Sequence, residues 1–289
     1  PLQGRQDQVS PGLLQQKNPP TGGFFHDQDH HISITAAAGQ WFFVQEPLMS
    51  GSILIFGANG GIGSATARLL AVRGHRLHLA GRNADAITGL AAELGASSSI
   101  GDVLDDGFIA QAAHDAGDHL DGLVYAVGSI TLKALPRLSR ADFLRDYELN
   151  ALSAALAVQA ALPALKASGR GSVVLFSSIA ASQGFGMHAS IGMAKAAVSG
   201  LTLSLAAELA PAVRVNAIAP SLTQTPLSKN LWQNEAMAQS IAALHPIPRL
   251  GSAEDMAALA AFLLSPEAAW ITGQILGVDG GRSSLRVKG

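Results

Sequence analysis

The chain contains no cysteine. Disulfide frameworks, thiolate nucleophiles and cysteine-based zinc sites are thereby excluded, and the absence fits a cytoplasmic location. Charge is sparse as well: 14% of the residues are Asp, Glu, Lys or Arg, and the formal net charge is −2. No basic face is on offer to the phosphates of a nucleic acid or an anionic membrane, so neither is expected as a partner. No continuous apolar run approaches the roughly 18 residues that span a bilayer, and the N-terminus lacks the basic-then-apolar order of a signal peptide. Tyrosine is nearly missing too: Tyr125 and Tyr147 are the only phenols. Hydrophobic residues, by contrast, make up 48% of the chain. That is ample for one large core, in a length that suits a single doubly wound α/β sheet of about 250 residues.

Residues 1–47 differ from the rest. Gln, Pro, Gly and His dominate, and the apolar pieces are short: Phe24-Phe25, Ile32 to Ile34, and Trp41 to Val44. So little apolar surface does not offset the entropy of ordering, and a disordered tail is expected. The run from His26 to His31 carries metal-ligating side chains, but a solvated polar run is the plainer account, and no metal site is assigned. Met49 stands just before the first strand and reads as a natural start. The tail is therefore expected to be non-native or an over-extended reading frame.

The organising stretch runs from Ser52 to Gly63. Ile53-Leu54-Ile55-Phe56 is an uninterrupted apolar run, as in a strand buried on both faces of a parallel sheet. Gly57-Ala58-Asn59-Gly60-Gly61-Ile62-Gly63 follows at once, and apolar residues then recur at helical spacing to Val72. A glycine turn between a central strand and a helix N-terminus presents unpartnered backbone N–H groups and the positive end of the helix dipole, which suits a pyrophosphate. Gly57 permits the tight turn, Gly61 removes a Cβ where phosphate approaches, and Gly63 lets helix and strand pack closely. Strands are expected at 76–80, as a short third strand ending near 101–103, and at 122–127, 172–177, 213–219 and 274–278. Helices are expected at 85–94, 105–116, from Ser139 through Ala167, at 190–210, and from Ser252 through Leu264. The spacings Ser139-x-x-Asp142 and Ser252-x-x-Asp255 read as capping boxes, and Pro163 should kink its helix or mark its last turns. Alternating β and α elements with apolar strands mean a single-domain, doubly wound parallel sheet, with ligands at the C-terminal strand ends.

From about residue 50 to 281 the chain resembles the short-chain dehydrogenase/reductase family. The turn Phe56 to Gly63 is similar to the family's T-G-x-x-x-G-I-G, with Phe56 for Thr. Asp102-Val103 matches the pair that touches adenine, Asn150 the active-site Asn, and Ser177-Ser178 the serine pair after the fifth strand. Pro220 to Thr225, including Leu222, resembles the P-G-x-x-x-T loop with Ser221 for Gly. Arg249-Leu250-Gly251 and Ile271 to Gly281 resemble the C-terminal signature. The family's N-N-A-G run corresponds to Tyr125-Ala126-Val127-Gly128, where only Gly128 retains its close backbone approach. The resemblance implies a Rossmann fold and a nicotinamide dinucleotide held by Gly57, Asn59, Gly61, Ile62, Gly63, Asp102, Val103, Gly128, Lys195, Pro220, Leu222 and Thr225. At the end of the second strand, where NAD readers carry an acid, stand Gly81 and Arg82. A guanidinium there complements a 2′-phosphate, so NADP is expected rather than NAD. The plainer account of Arg82 is a solvated surface arginine.

The family's chemistry uses Y-x-x-x-K. Here Lys195 is preceded, four residues earlier, by Ile191, and Ser178 stands thirteen residues before Ile191, the usual family spacing. Isoleucine carries no proton to give. Loss of a positioned general acid costs roughly 10²–10⁴ in rate. His188, on the same stripe if the helix reaches back that far, is the replacement candidate; a loop histidine that shapes access is the plainer account. The resemblance assigns Ser178 to orient a substrate oxygen, Lys195 to hold ribose, and Asn150 to hold a water. Two functions follow: an NADP-dependent oxidoreductase of a small carbonyl or alcohol with an unusual proton donor, or a catalytically silent NADP-binding protein that senses or scaffolds. Leu222, Leu227, Leu231, Trp232 and Met237 would form an apolar lid. The family pairs the helices near 151–165 and 194–210, both Ala-rich here, so a homodimer or homotetramer is expected.

Overall fold

The computed structural model describes residues 25–27, 32–37, 40–45 and 51–286. The chain divides between Leu48 and Met49 into two compact units. Of the first, the described pieces are the strands Phe25–Asp27, Ile32–Ala37 and Gln40–Gln45, joined in that order as an antiparallel sheet. They coincide with the three apolar pieces of the segment in which a disordered tail is expected. The rest of that segment, Gln28 to His31 of the histidine run included, lies outside the described residues.

The second unit holds seven parallel strands: β1 Ser52–Phe56, β2 Arg76–Gly81, β3 Ser97–Ile100, β4 Gly122–Tyr125, β5 Gly171–Phe176, β6 Val213–Pro220 and β7 Ile275–Val278. Their spatial order is β7-β6-β5-β4-β1-β2-β3. The order reverses between β1 and β4, which opens a crevice above their C-terminal ends. The helices are α1 Gly61–Val72, α2 Ala84–Leu94, α3 Asp106–Asp115, α4 Arg140–Tyr147, α5 Ser153–Ala167, α6 Ala189–Leu209, α7 Lys229–Trp232, α8 Glu235–Ala242 and α9 Ala253–Leu264. Alternate residues of β1 feed the two sides of the sheet, as the strand pleat requires. Ile53 and Ile55 join a core with α1, α2 and α9, and Leu54 and Phe56 one with α3, α5 and α6. This is the doubly wound, Rossmann-like sheet that the alternation predicts.

The departures are local. β4 ends at Tyr125, two residues before the expected Val127; Ala126 still donates its N–H to the Phe56 carbonyl at 2.9 Å, and Ala126 to Gly128 line the crevice. Both capping boxes are formed. The long helix holds a wide π turn, Glu148–Leu152, between α4 and α5. Pro163 lies inside α5 without ending it. Two helices, Arg140–Ala167 and Ala189–Leu209, prove long and apolar enough to cross a bilayer, with a mean hydropathy of 1.3. A search for unbroken apolar runs misses them because alanine raises the average between scattered polar residues. Both pack one face on the sheet, as core helices of this composition do.

Candidate active site

A groove of about 410 Å³ crosses the strand ends, walled by Gly57, Asn59, Gly61 and Ile62 of the glycine turn, Gly81 and Arg82 after β2, Val103, and Gly128. Gly57 sits at φ +76°, and a Cβ there would lie 2.9 Å from the Ala126 carbonyl carbon. Only glycine suits that position. A Cβ on Gly63 would collide with the Gly57 carbonyl, so close packing of turn and helix is its role. At Gly61 the near neighbour is Thr225, whose Cβ would be 2.8 Å from an added Cβ. The loop after β6 therefore closes over the turn, a contact that sequence reading assigned to phosphate alone. Asp102 stays out of the groove wall: its Oδ1 accepts from the Leu104 N–H at 3.1 Å and its Oδ2 from Arg82 at 3.3 Å. Val103 is buried and lines the groove.

At the inner end, α6 brings Lys195 and the π turn brings Asn150 beside Gly128. A Cβ on Gly128 would sit 3.1 Å from Asn150 Oδ1 and 3.2 Å from Lys195 Nζ. Lys195 donates to the Phe176 carbonyl at 2.9 Å. Burial pushes its ammonium down from 10.5 to about 8, against the opposing pull of the Asp146 charge. Asn150 donates from Nδ2 to the Asp146 carbonyl at 2.8 Å and to Ser129 Oγ at 2.9 Å. Asn150 thereby also satisfies a helix carbonyl. Its Oδ1 is buried and accepts no hydrogen bond from the protein. Buried acceptors without partners are uncommon, so this one is suited to a water or a ligand hydroxyl. Asp146 is buried behind it and accepts from Ser129 and Thr131 on Oδ1 (2.7 and 2.8 Å) and from Ser190 on Oδ2 (2.6 Å). Sequence reading missed Asp146. The available signal was an acid one helical turn before Asn150.

The groove opens into a second, mainly apolar cavity of about 340 Å³. Ile62, Val127, Gly128, Thr225 and Leu227 belong to both. Ser178, His188, Ile191, Lys195, Pro220 and Leu222 all line it, so the sequence-predicted catalytic side chains meet there, apart from Asn150. Leu231 lines it too, whereas Trp232 turns its indole N–H to the Thr225 carbonyl and Met237 is exposed. Ser178 Oγ accepts from the Ala180 N–H at 3.1 Å, and its long 3.4 Å approach to the Pro220 carbonyl leaves its proton readily redirected. His188 caps α6, so the helix does reach back far enough to place it, Ile191 and Lys195 on one stripe. Its Nδ1 faces the Gly186 carbonyl at 2.7 Å. That contact fixes the proton on Nδ1 and leaves Nε2 bare in the neutral ring and a donor in the charged one. Neither tyrosine lines the cavity. Tyr125 is buried with its hydroxyl on the Leu149 carbonyl at 2.8 Å, and burial pushes its phenol far above the ordinary range. Tyr147 is exposed. Arg282, which sequence reading also missed, enters the cavity from the C-terminal turn. Its signal was slight, a cation directly after Asp279-Gly280-Gly281.

These features fit a dinucleotide. Three glycine positions exclude side chains along the groove, Lys195 retains ammonium protons beyond the one given to Phe176, and Asn150 Oδ1 lacks a donor. Comparison with known proteins agrees. A family model described as enoyl-(acyl carrier protein) reductase matches residues 57–283. Dehydrogenase/reductase SDR family member 4 of Oryctolagus cuniculus is 33% identical over 250 residues, covering 83% of this chain and 96% of that protein. A tropinone reductase homolog of Arabidopsis thaliana is 31% identical, covering 79% and 90%. Among solved structures, a short-chain type dehydrogenase/reductase from Mycobacterium ulcerans superposes with a TM-score of 0.78 at 30% identity, covering 83% of this chain and 92% of that one.

Proposed function

The chain belongs to the short-chain dehydrogenase/reductase family of nucleotide-binding oxidoreductases, and from that premise we propose that it is an NADP-dependent enzyme interconverting a small carbonyl compound and its alcohol, with a proton donor other than tyrosine. The observation that carries this proposal is that Lys195, Ser178 and His188 line one cavity, which shares Val127, Gly128 and Thr225 with the groove. When bound, the dinucleotide supplies or accepts the hydride at the carbonyl carbon. The oxygen needs a proton, and Ile191, at the position of the family's tyrosine, has none to give. His188 supplies it: as an imidazolium it donates from Nε2, and in the oxidative direction the neutral ring accepts there. Ser178 Oγ orients the substrate oxygen. Lys195 and Asn150 hold the ribose hydroxyls and a linking water.

The NADP preference is supported by Arg82. Among the described residues its only ion pair is with Asp102, at 3.3 Å, with 65% of the Arg82 side chain exposed. Such a pair contributes about 0–1 kcal/mol. A 2′-phosphate, with more charge and a bidentate edge, displaces Asp102 easily. The protein also pairs with itself through α6, whose outer stripe, Met193, Ala196, Gly200 and Leu203, is exposed and uncharged.

The test is a titration with NADPH followed by a panel of small carbonyl substrates monitored by NADPH absorbance. Turnover that falls by about 10²–10⁴ in His188→Ala is the expected result. NADPH binding without turnover across the panel would favour the silent binding protein, which the buried Ile191 also accommodates. Ile191→Tyr is expected to raise turnover, since the remainder of the site stands around that position.

A further inference from the structure

Resting on the assignment of the apolar cavity as the substrate site, we propose that the substrate carries a carboxylate and that Arg282 binds it. The substrate class is an oxo or hydroxy monocarboxylic acid with a hydrocarbon body.

Arg282 follows Gly280 and Gly281, both at positive φ, in the turn after β7. The acid nearest in sequence, Asp279, is committed to that turn: its Oδ1 accepts from the Gly281 N–H at 2.8 Å and its Oδ2 from the Ser283 N–H at 2.9 Å. Among the described residues no ion pair includes Arg282. The guanidinium lies over the Phe185 ring, 5.1 Å from its centroid, with one long contact, 3.5 Å, from Nη1 to Ser221 Oγ. Both contacts position it without neutralising it, and the Asp279 charge acts on it without forming an ion pair. Ser221 is arranged for this. His245 turns Nδ1 to the Ile241 carbonyl at 2.9 Å, so in the neutral ring its Nε2 accepts a hydrogen bond from the Ser221 hydroxyl at 2.8 Å. The serine oxygen is left as an acceptor toward Arg282. Ser221 stands where the family pattern has glycine, so this support belongs to this chain.

The cavity has no acidic residue in its wall, while Lys195 adds a second cation. A partly buried, unpaired guanidinium among apolar side chains is costly, and an anion brought by a ligand relieves that cost. One planar fork matches the two oxygens of a carboxylate. The other cation, Lys195, is assigned to the ribose hydroxyls of the dinucleotide, so in the holoprotein a phosphate dianion would lack a second partner. Ile130, Leu222, Leu227 and Leu231 supply the wall for a hydrocarbon body.

Octanoate and its neutral isostere octanamide test this by isothermal titration, with and without NADPH. Wild-type protein is expected to bind octanoate at least about tenfold tighter, the scale of one charge-assisted hydrogen-bond pair. Arg282→Gln should erase that preference while leaving octanamide binding unchanged, which also certifies the fold; Arg282→Lys should retain part of it. Equal binding of the two ligands by wild type, binding of neither, or a preference undiminished in Arg282→Gln would overturn the proposal. Failure of the wild type to bind NADPH would instead overturn the oxidoreductase assignment. The octanoate preference measured without nucleotide would still decide the role of Arg282.

Discussion

Gly128 is where the cofactor groove has least to spare. A methyl group there would stand 3.1 and 3.2 Å from the two polar atoms, Asn150 Oδ1 and Lys195 Nζ, assigned to the ribose and its water. The long lysine tip gives way by a few tenths of an ångström, so the fold survives and the polar geometry does not. Gly128→Ala is expected to keep its melting temperature within a few degrees and to lose about tenfold or more in NADPH affinity, measured by fluorescence titration. Equal affinity in the variant would show that the ribose lies elsewhere. Ile191 could be located from sequence because helical spacing from Lys195 is fixed by the backbone alone. Arg282 and Asp146 could not. Arg282 gains its meaning from Phe185 and Ser221, which lie some 97 and 61 positions earlier in the chain. Asp146 gains its own from Ser129, Thr131 and Ser190, and no local pattern announces such meetings.

At the scale of the element, α9 shows how a short motif acts through charge. Asp255 accepts from the Ser252 N–H at 2.7 Å and from both ends of the Arg249 guanidinium at 2.6 and 2.8 Å. These donors, Arg249 foremost, hold its carboxyl down at about 2, against an ordinary 3.8. A carboxyl held low in the folded state stabilises it above the unfolded value, and that contribution is lost as pH falls from about 4 to about 2. With Arg249 largely exposed, solvent screening leaves about 1 kcal/mol. Asp255→Asn is therefore expected to lower the neutral-pH melting temperature by about 2–4 °C. It should also flatten the stability decline between pH 4 and 2, as read from denaturant midpoints. A variant with the wild-type acid limb would remove the motif from the account. Both capping boxes were legible because Ser-x-x-Asp is a local signal that the backbone must answer. The π turn around Asn150 was not: its widened hydrogen bond, Ser153 N–H to the Glu148 carbonyl, is compatible with an ordinary helical pattern.

For the molecule as a whole, the parallel order of strands follows from apolar β runs alternating with helices, whereas the surfaces left uncovered become visible only once the helices are seated. Helix α6 turns Ile191, Lys195, Val198, Thr202 and Ala206 inward. On the opposite side Met193, Ala196, Gly200, Leu203, Ser204 and Ala207 recur at helical spacing, all exposed and none charged. Met193 is 48% and Leu203 53% exposed, and a Cβ added to Gly200 would meet nothing within 4 Å. A solvated helix face normally carries charge, and a stripe of small residues flanked by larger apolar ones permits close approach of another helix. A second copy of the same chain would satisfy this, with a two-fold axis near Gly200 setting each Leu203 against the partner's small residues. Sedimentation equilibrium at micromolar concentration is expected to report a dimer or tetramer. Leu203→Glu places a carboxylate on each side of that axis and should shift the distribution to monomer without altering the circular dichroism of the monomeric fold. A wild-type monomer, or an oligomer indifferent to Leu203→Glu, would move the contact away from α6. Because the same helix carries Lys195 on its inner side, dissociation is also expected to weaken NADPH binding, measured on the same variant. Unchanged affinity in the monomer would mean that the site is complete within one chain.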